Sequence, residues 1–155
     1  MLWSARAWVG YAVARRLMRW AWLVHQPIAW RWMEGQFARK AALGDVSAQS
    51  FYGHVLLHRG QGLGARAEGL RLLRLAAEAG DGKSAYQLGV LSLAGTTNQA
   101  PDALAAAAYW EQATAAGHPL AAQRLAQLYL QGGQGLAANP EQAKRLQARA
   151  AELGL

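Results

Sequence analysis

The chain has 155 residues, of which 53% are hydrophobic, and a chain of this length can bury a core of its own as one domain. Cysteine is absent, which excludes disulfides and thiolate metal sites. The formal net charge of +7 is uneven, because residues 1–40 hold seven basic side chains and one acidic one, whereas residues 41–155 hold nine and eight. Six of the seven tryptophans also lie in residues 1–40. The sequence therefore divides into a basic, tryptophan-rich head (residues 1–36) and a nearly neutral body (residues 37–155).

Two helices are predicted in the head. The first covers residues 8–25 and is broken by Pro27, and the second begins near residue 28. The apolar side chains of the first share one broad face, and those of the second follow it along the chain: Val9, Val13, Leu17, Trp20 and Val24, then Ile28, Trp32, Met33 and Phe37. The three arginines of the first helix share another face. Neither apolar run approaches the roughly 20 residues that span a bilayer, so we predict neither a transmembrane segment nor a cleaved signal peptide.

Two interpretations of the head remain open. In the first, the head is a cap that covers the end of the body, so that its tryptophans pack and its arginines form a solvated face. In the second, it is a cationic segment that binds an anionic membrane surface through Arg15, Arg16, Arg19 and Trp20. Nucleic-acid binding is not expected, because the tryptophans are predicted to lie on apolar faces and not to interleave with the arginines as a stacking platform.

A period of 36 or 37 residues organises the body. Four glycines that follow alanine-rich helix ends mark it at intervals of 36, 37 and 37 residues, namely Gly44, Gly80, Gly117 and Gly154. We predict a partial unit at 37–45 and three full units at about 46–81, 82–118 and 119–155. Each full unit contains two helices. The first helices are expected at about 47–58, 83–94 and 120–131, and the second helices at about 66–79, 102–116 and 140–153.

Local signals support these units. The first helices carry a stripe of small or apolar residues at helical spacing: Ala48, Tyr52, Val55 and Leu56, then Ser84, Leu88, Leu91 and Ser92, then Ala121, Leu125, Leu128 and Tyr129. Asp102 and Asn139 followed by Pro140 are helix-start signals. The four boundary glycines are expected to be left-handed. The stretch "GQGL", present at 60–63 and 133–136, is interpreted as a turn between helices, since a phosphate-binding loop would follow a strand.

These features resemble the Sel1-like repeats, relatives of the tetratricopeptide repeats. The third unit matches the family pattern best, with Ala121, Leu125, Tyr129, Gly133, Gly135, Ala143, Ala150, Ala151 and Gly154 in place. The second unit keeps Leu88 and Gly89 but has Ser92 for the tyrosine, and the first keeps Ala48 and Gly53 but has Leu56 there. The resemblance implies an all-α, right-handed α-solenoid of helix-turn-helix repeats. It also implies that the first helices line a concave face that binds proteins or peptides.

No catalytic set follows from the residue spacing, so enzymatic activity, a cofactor and a metal site are not expected. His54 and His58 stand four residues apart on a predicted helix, but no third ligand lies nearby in the sequence. The candidate partner-binding residues lie in columns of the first helices that change in character between units. They are His54, His58, Tyr86, Gln87, Val90, Gln123, Arg124, Gln127 and Gln131.

The sequence thus predicts a cytoplasmic adaptor or regulatory subunit that binds another protein or peptide. The alternative is a peripheral membrane adaptor, attached to the inner membrane by the head. No residue pattern identifies the partner. Because the chain ends one residue after Gly154 without a further capping helix, we also expect one solenoid end to be open to homodimer formation.

Overall fold

The computed structural model describes residues 2–19, 27–60, 62–96 and 99–155, and these residues form eight α-helices. In chain order the helices are α1 (Leu2–Leu17), α2 (Pro27–Ala42), α3 (Val46–Arg59), α4 (Gly62–Glu78), α5 (Gly82–Ala94), α6 (Ala103–Ala115), α7 (Pro119–Gln131) and α8 (Pro140–Glu152). They fall into two compact units, Met1–Leu72 and Leu73–Leu155, each of which is described by itself. None of the described helices is both long and apolar enough to cross a membrane.

Three of the four repeat boundaries are closed by the same pair of hydrogen bonds. At the end of α4, the Gly80 N–H donates to the Ala77 carbonyl (2.8 Å) and the Asp81 N–H donates to the Ala76 carbonyl (2.9 Å). The same pair of bonds closes α6 and α8, which is the Schellman arrangement. It requires a left-handed residue at the boundary, and the four predicted glycines have φ of 81°, 92°, 82° and 99° at Gly44, Gly80, Gly117 and Gly154. The prediction for these glycines is confirmed.

Gly117→Ala is expected to lower the free energy of unfolding by about 1–2 kcal/mol, because φ is +82° there and an L side chain is strained in that region. An added Cβ would meet no atom within 4 Å, so the cost comes from the backbone alone. Gly35→Ala is the matched control: this glycine lies inside α2, where alanine should stabilise the helix by about 0.5–1 kcal/mol. Urea denaturation of both variants should give changes of opposite sign, and two changes of the same sign would contradict the argument.

Helix starts follow the predicted capping chemistry. The side chains of Asp102 and Asn139 accept from the backbone N–H three residues later, at 2.8 and 3.0 Å. Asp45 and Asp81 cap α3 and α5 in the same way, each at 2.8 Å. His118 stands at the corresponding position of α7 and makes no capping hydrogen bond.

The two copies of "GQGL" adopt different structures. At 133–136, Gly133 and Leu136 exchange two backbone hydrogen bonds of 2.9 and 3.0 Å, so the predicted turn is confirmed there. At the first copy, α4 already begins at Gly62, four residues before the predicted start. The other two second helices start beside Pro101 and Pro140, and the first unit has no proline at this point to delay its helix.

The core of the Leu73–Leu155 unit forms where successive helices pack, α5 on α6, α6 on α7 and α7 on α8. Trp110 of α6 is only 2% exposed, and its indole N–H donates to the Tyr86 carbonyl of α5 (3.1 Å). Gly89 of α5 lies directly against the Trp110 ring, where a Cβ would overlap it. Most residues of the predicted apolar stripe are buried in both units, and Leu91, Ser92 and Tyr129 are half-buried.

The core of the Met1–Leu72 unit is aromatic and includes the head. Phe37 of α2 is fully buried between Tyr11 of α1 and Phe51 of α3, with ring centroids 5.9 and 5.1 Å away. α1 packs on α2, and α2 packs on α3. α2 also runs without a break through residue 36, where the sequence prediction divided the head from the body.

In the cap interpretation the apolar face of α1 would pack on the body, and the structure packs a different face. The face that packs carries Ala7, Tyr11 and Ala14, whereas Val9 and Val13 are exposed. Small residues line this face, and the end of the Gln36 side chain of α2 lies directly against Gly10. α1 ends at Leu17, and the part of the predicted helix at residues 20–25, with Trp20 and Val24, lies outside the described residues.

The second head helix follows its prediction in part. Met33 and Phe37 are buried as the packing interpretation requires. Trp32 is 46% exposed and Ile28 is 77% exposed, and Trp8 of α1 is 62% exposed. The prediction that the tryptophans pack is therefore wrong for Trp8 and Trp32, and a cap alone does not explain these side chains.

Candidate functional site

Helix α7 presents the most polar of the candidate columns. Its buried face carries Ala121, Ala122, Leu125, Ala126 and Leu128. The candidate residues Gln123, Arg124, Gln127 and Gln131 are all exposed. The three glutamines recur every four residues, so they lie on one side of the helix. This side of α7 offers amide donors and acceptors and one guanidinium to a partner.

Helix α5 presents a more apolar column, in which Tyr86, Gln87 and Val90 are half-buried. The Tyr86 ring stacks on the imidazole of His118, which precedes α7, with centroids 4.6 Å apart and planes within 11°. This stack joins α5 to the start of α7. The sequence gave no sign of the stack, because the two residues lie 32 positions apart and belong to no common column.

An open pocket of about 570 Å³ lies beside the stack. Two consecutive repeat boundaries form it, around Gly80 and Gly117. Asp81, Lys83 and His118 are its ionisable lining residues. Burial lowers the pKa of the His118 imidazole and the Lys83 charge lowers it further, while Asp81 acts in the opposite direction. Nδ1 of His118 is buried and has no hydrogen-bond partner among the described residues.

Acid is expected to destabilise the Leu73–Leu155 unit through His118. Its pKa is lower in the folded protein than the usual value near 6.5, so the unfolded chain takes up the proton first as the pH falls. Stability from the neutral ring is therefore complete above about pH 6.5 and decreases as the pH falls from there through the folded pKa. Urea denaturation of wild type and His118→Asn, measured at a series of pH values from about 7 downward, checks this loss of stability. The variant should lose this part of the pH dependence, and an unchanged slope would contradict the assignment.

The two histidines of α3 belong to the other unit. Nδ1 of His54 lies 2.7 Å from the Ser50 carbonyl oxygen, and His58 is exposed. Among the residues that the structure describes, no group of three or more histidine, aspartate or glutamate side chains is arranged to hold a metal ion. His54 is therefore engaged by its own helix, and His58 is the accessible member of the pair.

The predicted membrane-binding arginines lie at the C-terminal end of α1 and just after it. Arg15, Arg16 and Arg19 are exposed, and Trp20 lies outside the part of the chain that the structure describes. The Arg15 guanidinium lies over the Phe51 ring, 5.4 Å from its centroid. An open pocket of about 720 Å³ is lined by these arginines and by Trp8. Trp8 and the arginines thus line the same pocket.

Comparison with known proteins identifies the repeats. The family model for the Sel1 repeat matches residues 46–81, 82–118 and 119–155. The chain belongs to the Sel1 repeat family. Sel1 repeats typically mediate binding to other proteins, and proteins built from them are generally non-enzymatic scaffolds. A search of curated proteins found no match.

Solved structures agree with this assignment. The chain is similar to a Sel1 repeat protein from Oxalobacter formigenes, with 33% identity over 77% of this chain and 88% of that one, and a TM-score of 0.65. It is also similar in fold to a protective antigen of uropathogenic Escherichia coli strains that displays an SLR fold, with 23% identity and a TM-score of 0.68. That likeness covers 79% of this chain and 26% of the antigen. The predicted class, an all-α solenoid of Sel1-like repeats, is confirmed.

Proposed function

We propose that this Sel1 repeat protein is an adaptor or regulatory subunit, and that it binds a protein or peptide through the half-buried column of α5 and the exposed column of α7. The observation that carries the proposal is the contrast within α7. Its buried face is entirely small or apolar, while its exposed candidate column consists of glutamines and one arginine. Side chains of this kind can be exchanged without disturbing the core, which allows the columns to be specific for a partner.

Tyr86 of α5 and Arg124 of α7 also support the proposal. Tyr86 combines a large apolar ring with a hydroxyl group, and aromatic residues are enriched at the energetic centres of interfaces. Arg124 is exposed, and no ion pair involves it among the residues that the structure describes. A partner that pairs an acidic side chain with Arg124 and amide hydrogen bonds with the glutamines would match this surface.

Affinity capture from the native cell tests the proposal. The site variant is Arg124→Glu with Gln127→Ala, and the matched control is Arg145→Glu with Gln147→Ala on α8. All four residues are exposed, and both variants change charge and size equally. We expect the site variant to lose a partner that the wild type and the control retain. If both variants recover the same proteins as the wild type, the α7 column is not the binding surface.

Peripheral attachment to an anionic membrane is a second candidate function, and the exposed apolar side chains of the head favour it. Trp8, Val9, Val13, Ile28 and Trp32 are all exposed on α1 and α2, which together hold six basic side chains and one acidic one. Amphipathic segments with basic and aromatic side chains bind the interface of anionic bilayers. Attachment would bring a partner of the repeats to the inner membrane. The cytoplasmic location and homodimer formation stay predictions, which cell fractionation and size measurement would test.

A further inference from the structure

The pocket of about 720 Å³ in the Met1–Leu72 unit is a built feature and not only a patch of charge. α1 supplies Trp8, Arg15 and Arg16, and Arg19 follows two residues after its end. α2 supplies Lys40, and α3 supplies Phe51. Its size lies within the range of roughly 300–1,000 Å³ that is usual for sites that take small molecules. The pocket can therefore admit one small ligand or one head group.

The charge of this pocket is strongly positive. Arg15, Arg16, Arg19 and Lys40 line it, and Asp45 is its one acidic lining residue. The Asp45 carboxylate is already engaged, because it accepts hydrogen bonds from the Lys40 ammonium (2.7 Å) and from the Ala48 N–H (2.8 Å). Burial acts to raise the pKa of the Asp45 carboxyl, but these bonds outweigh it and leave the pKa lowered. The arginines form no ion pair with it or with any other carboxylate of the described residues.

Three guanidinium groups at one pocket favour a phosphate-bearing ligand. Guanidinium is planar and donates two parallel hydrogen bonds to phosphate oxygens, and it is more weakly hydrated than ammonium. The position of Arg15 is supported by its contact with the Phe51 ring. Arg16 and Arg19 are exposed and can turn toward a ligand without breaking an ion pair within the described residues.

The surroundings of the pocket distinguish a lipid from a soluble phosphate or a nucleic acid. Trp8 lines the pocket and is 62% exposed, and Val9 follows it at about 100° around the helix. Val9 and Val13 are both exposed, and neither a soluble phosphate nor a stacked base would cover them. Acyl chains and the boundary of the bilayer would cover them. We propose that this pocket binds the head group of an anionic phospholipid. The proposal rests on the membrane attachment proposed above.

Vesicle co-sedimentation of the full chain tests the proposal, with phosphatidylcholine vesicles that contain or lack phosphatidylglycerol. The pocket variant is Arg16→Gln with Arg19→Gln, and the matched control is Arg31→Gln with Arg39→Gln, which removes two exposed charges from the same head outside the pocket. We expect the pocket variant to weaken binding to the anionic vesicles at least about tenfold more than the control does. Equal weakening would mean diffuse attraction of the head as a whole. That result would overturn the pocket while leaving membrane attachment standing.

Soluble probes separate the sources of phosphate. Glycerol 1-phosphate should shift the Trp8 indole NMR signal saturably in wild type and in the control, but not in the pocket variant. If it does so and wild type binds no anionic vesicle, the pocket holds a soluble phosphate compound, and both the lipid assignment and membrane attachment fail. If a single-stranded oligonucleotide binds more tightly than the vesicles and depends on Arg16 and Arg19, the ligand is a nucleic acid and the lipid proposal is overturned.

Discussion

Phe37→Ala is expected to lower the free energy of unfolding of the Met1–Leu72 unit by about 3–5 kcal/mol. The side chain is fully buried, and its ring contacts those of Tyr11, Phe51 and Tyr52, with centroids 5.9, 5.1 and 6.3 Å away. Removing it leaves a cavity at the point where α1, α2 and α3 meet. Edge-to-face contacts add to the loss, because each such pair contributes beyond its buried area. Urea denaturation followed by circular dichroism measures the change.

Trp32→Ala is the matched control for this experiment. Trp32 lies on the same helix and is the larger aromatic residue, but it is 46% exposed. We expect its removal to cost less than about 1 kcal/mol, since surface substitutions have small effects on stability. Similar losses for the two variants would contradict the described core of the head and would mean that Trp32 packs as the sequence first indicated.

Trp110→Ala is expected to lower the free energy of unfolding of the Leu73–Leu155 unit by a similar amount, about 3–5 kcal/mol. The ring is 2% exposed and fills the space between α6 and α5. Its loss also removes the hydrogen bond from the indole N–H to the Tyr86 carbonyl. Thermal and urea denaturation measure the effect.

Gly89→Ala tests the reason for this cost. In wild type the added Cβ would overlap the Trp110 ring, so we expect a loss of about 1–3 kcal/mol from overpacking. In the Trp110→Ala background the ring is absent, and the same substitution should become neutral or stabilising. The two changes are therefore coupled. If the effects of the two substitutions on the free energy of unfolding are additive, the Trp110 ring is not what excludes a Cβ at position 89.

Much of the fold of the body was predictable, because its signals are local and recur. Glycine after an alanine-rich helix end commonly adopts the left-handed conformation that closes the helix. Asp or Asn before a helix commonly caps its N-terminus. The left-handed glycines at 80 and 117 and the caps at Asp102 and Asn139 could therefore be predicted without knowledge of tertiary contacts. The early start of α4 was missed because glycines at 62 and 64 signal a loop as strongly as they permit a helix start.

The head was harder to predict because apolar residues surround α1 on nearly every side. The face that the sequence indicates is therefore not the only apolar side of α1, and the side with Ala7, Tyr11 and Ala14 packs. Gly10 lies against the end of the Gln36 side chain of α2. Sequence reasoning favoured Val9 and Val13 on hydrophobicity alone, and both are exposed.

The candidate site could be predicted only as columns of positions. Helical spacing places Gln123, Gln127 and Gln131 on one side of α7, and the structure gives all three as exposed. What the columns bind depends on chemistry that a partner supplies, so their role stays a prediction. The stack of Tyr86 on His118 depends on tertiary packing between repeats and left no signal in the sequence.

The central claim is that the candidate columns of α5 and α7 bind a protein. The dissociation constant of a captured partner tests this claim most directly. It should be measured with purified proteins for wild type, for Arg124→Glu with Gln127→Ala, and for Arg145→Glu with Gln147→Ala. A binding surface centred on α7 predicts that the first variant weakens binding about tenfold or more, since loss of an interface hot spot exceeds about 1.4 kcal/mol. The α8 variant should stay within about twofold of wild type. Equal constants for all three proteins, or a larger loss in the α8 variant, would contradict the claim.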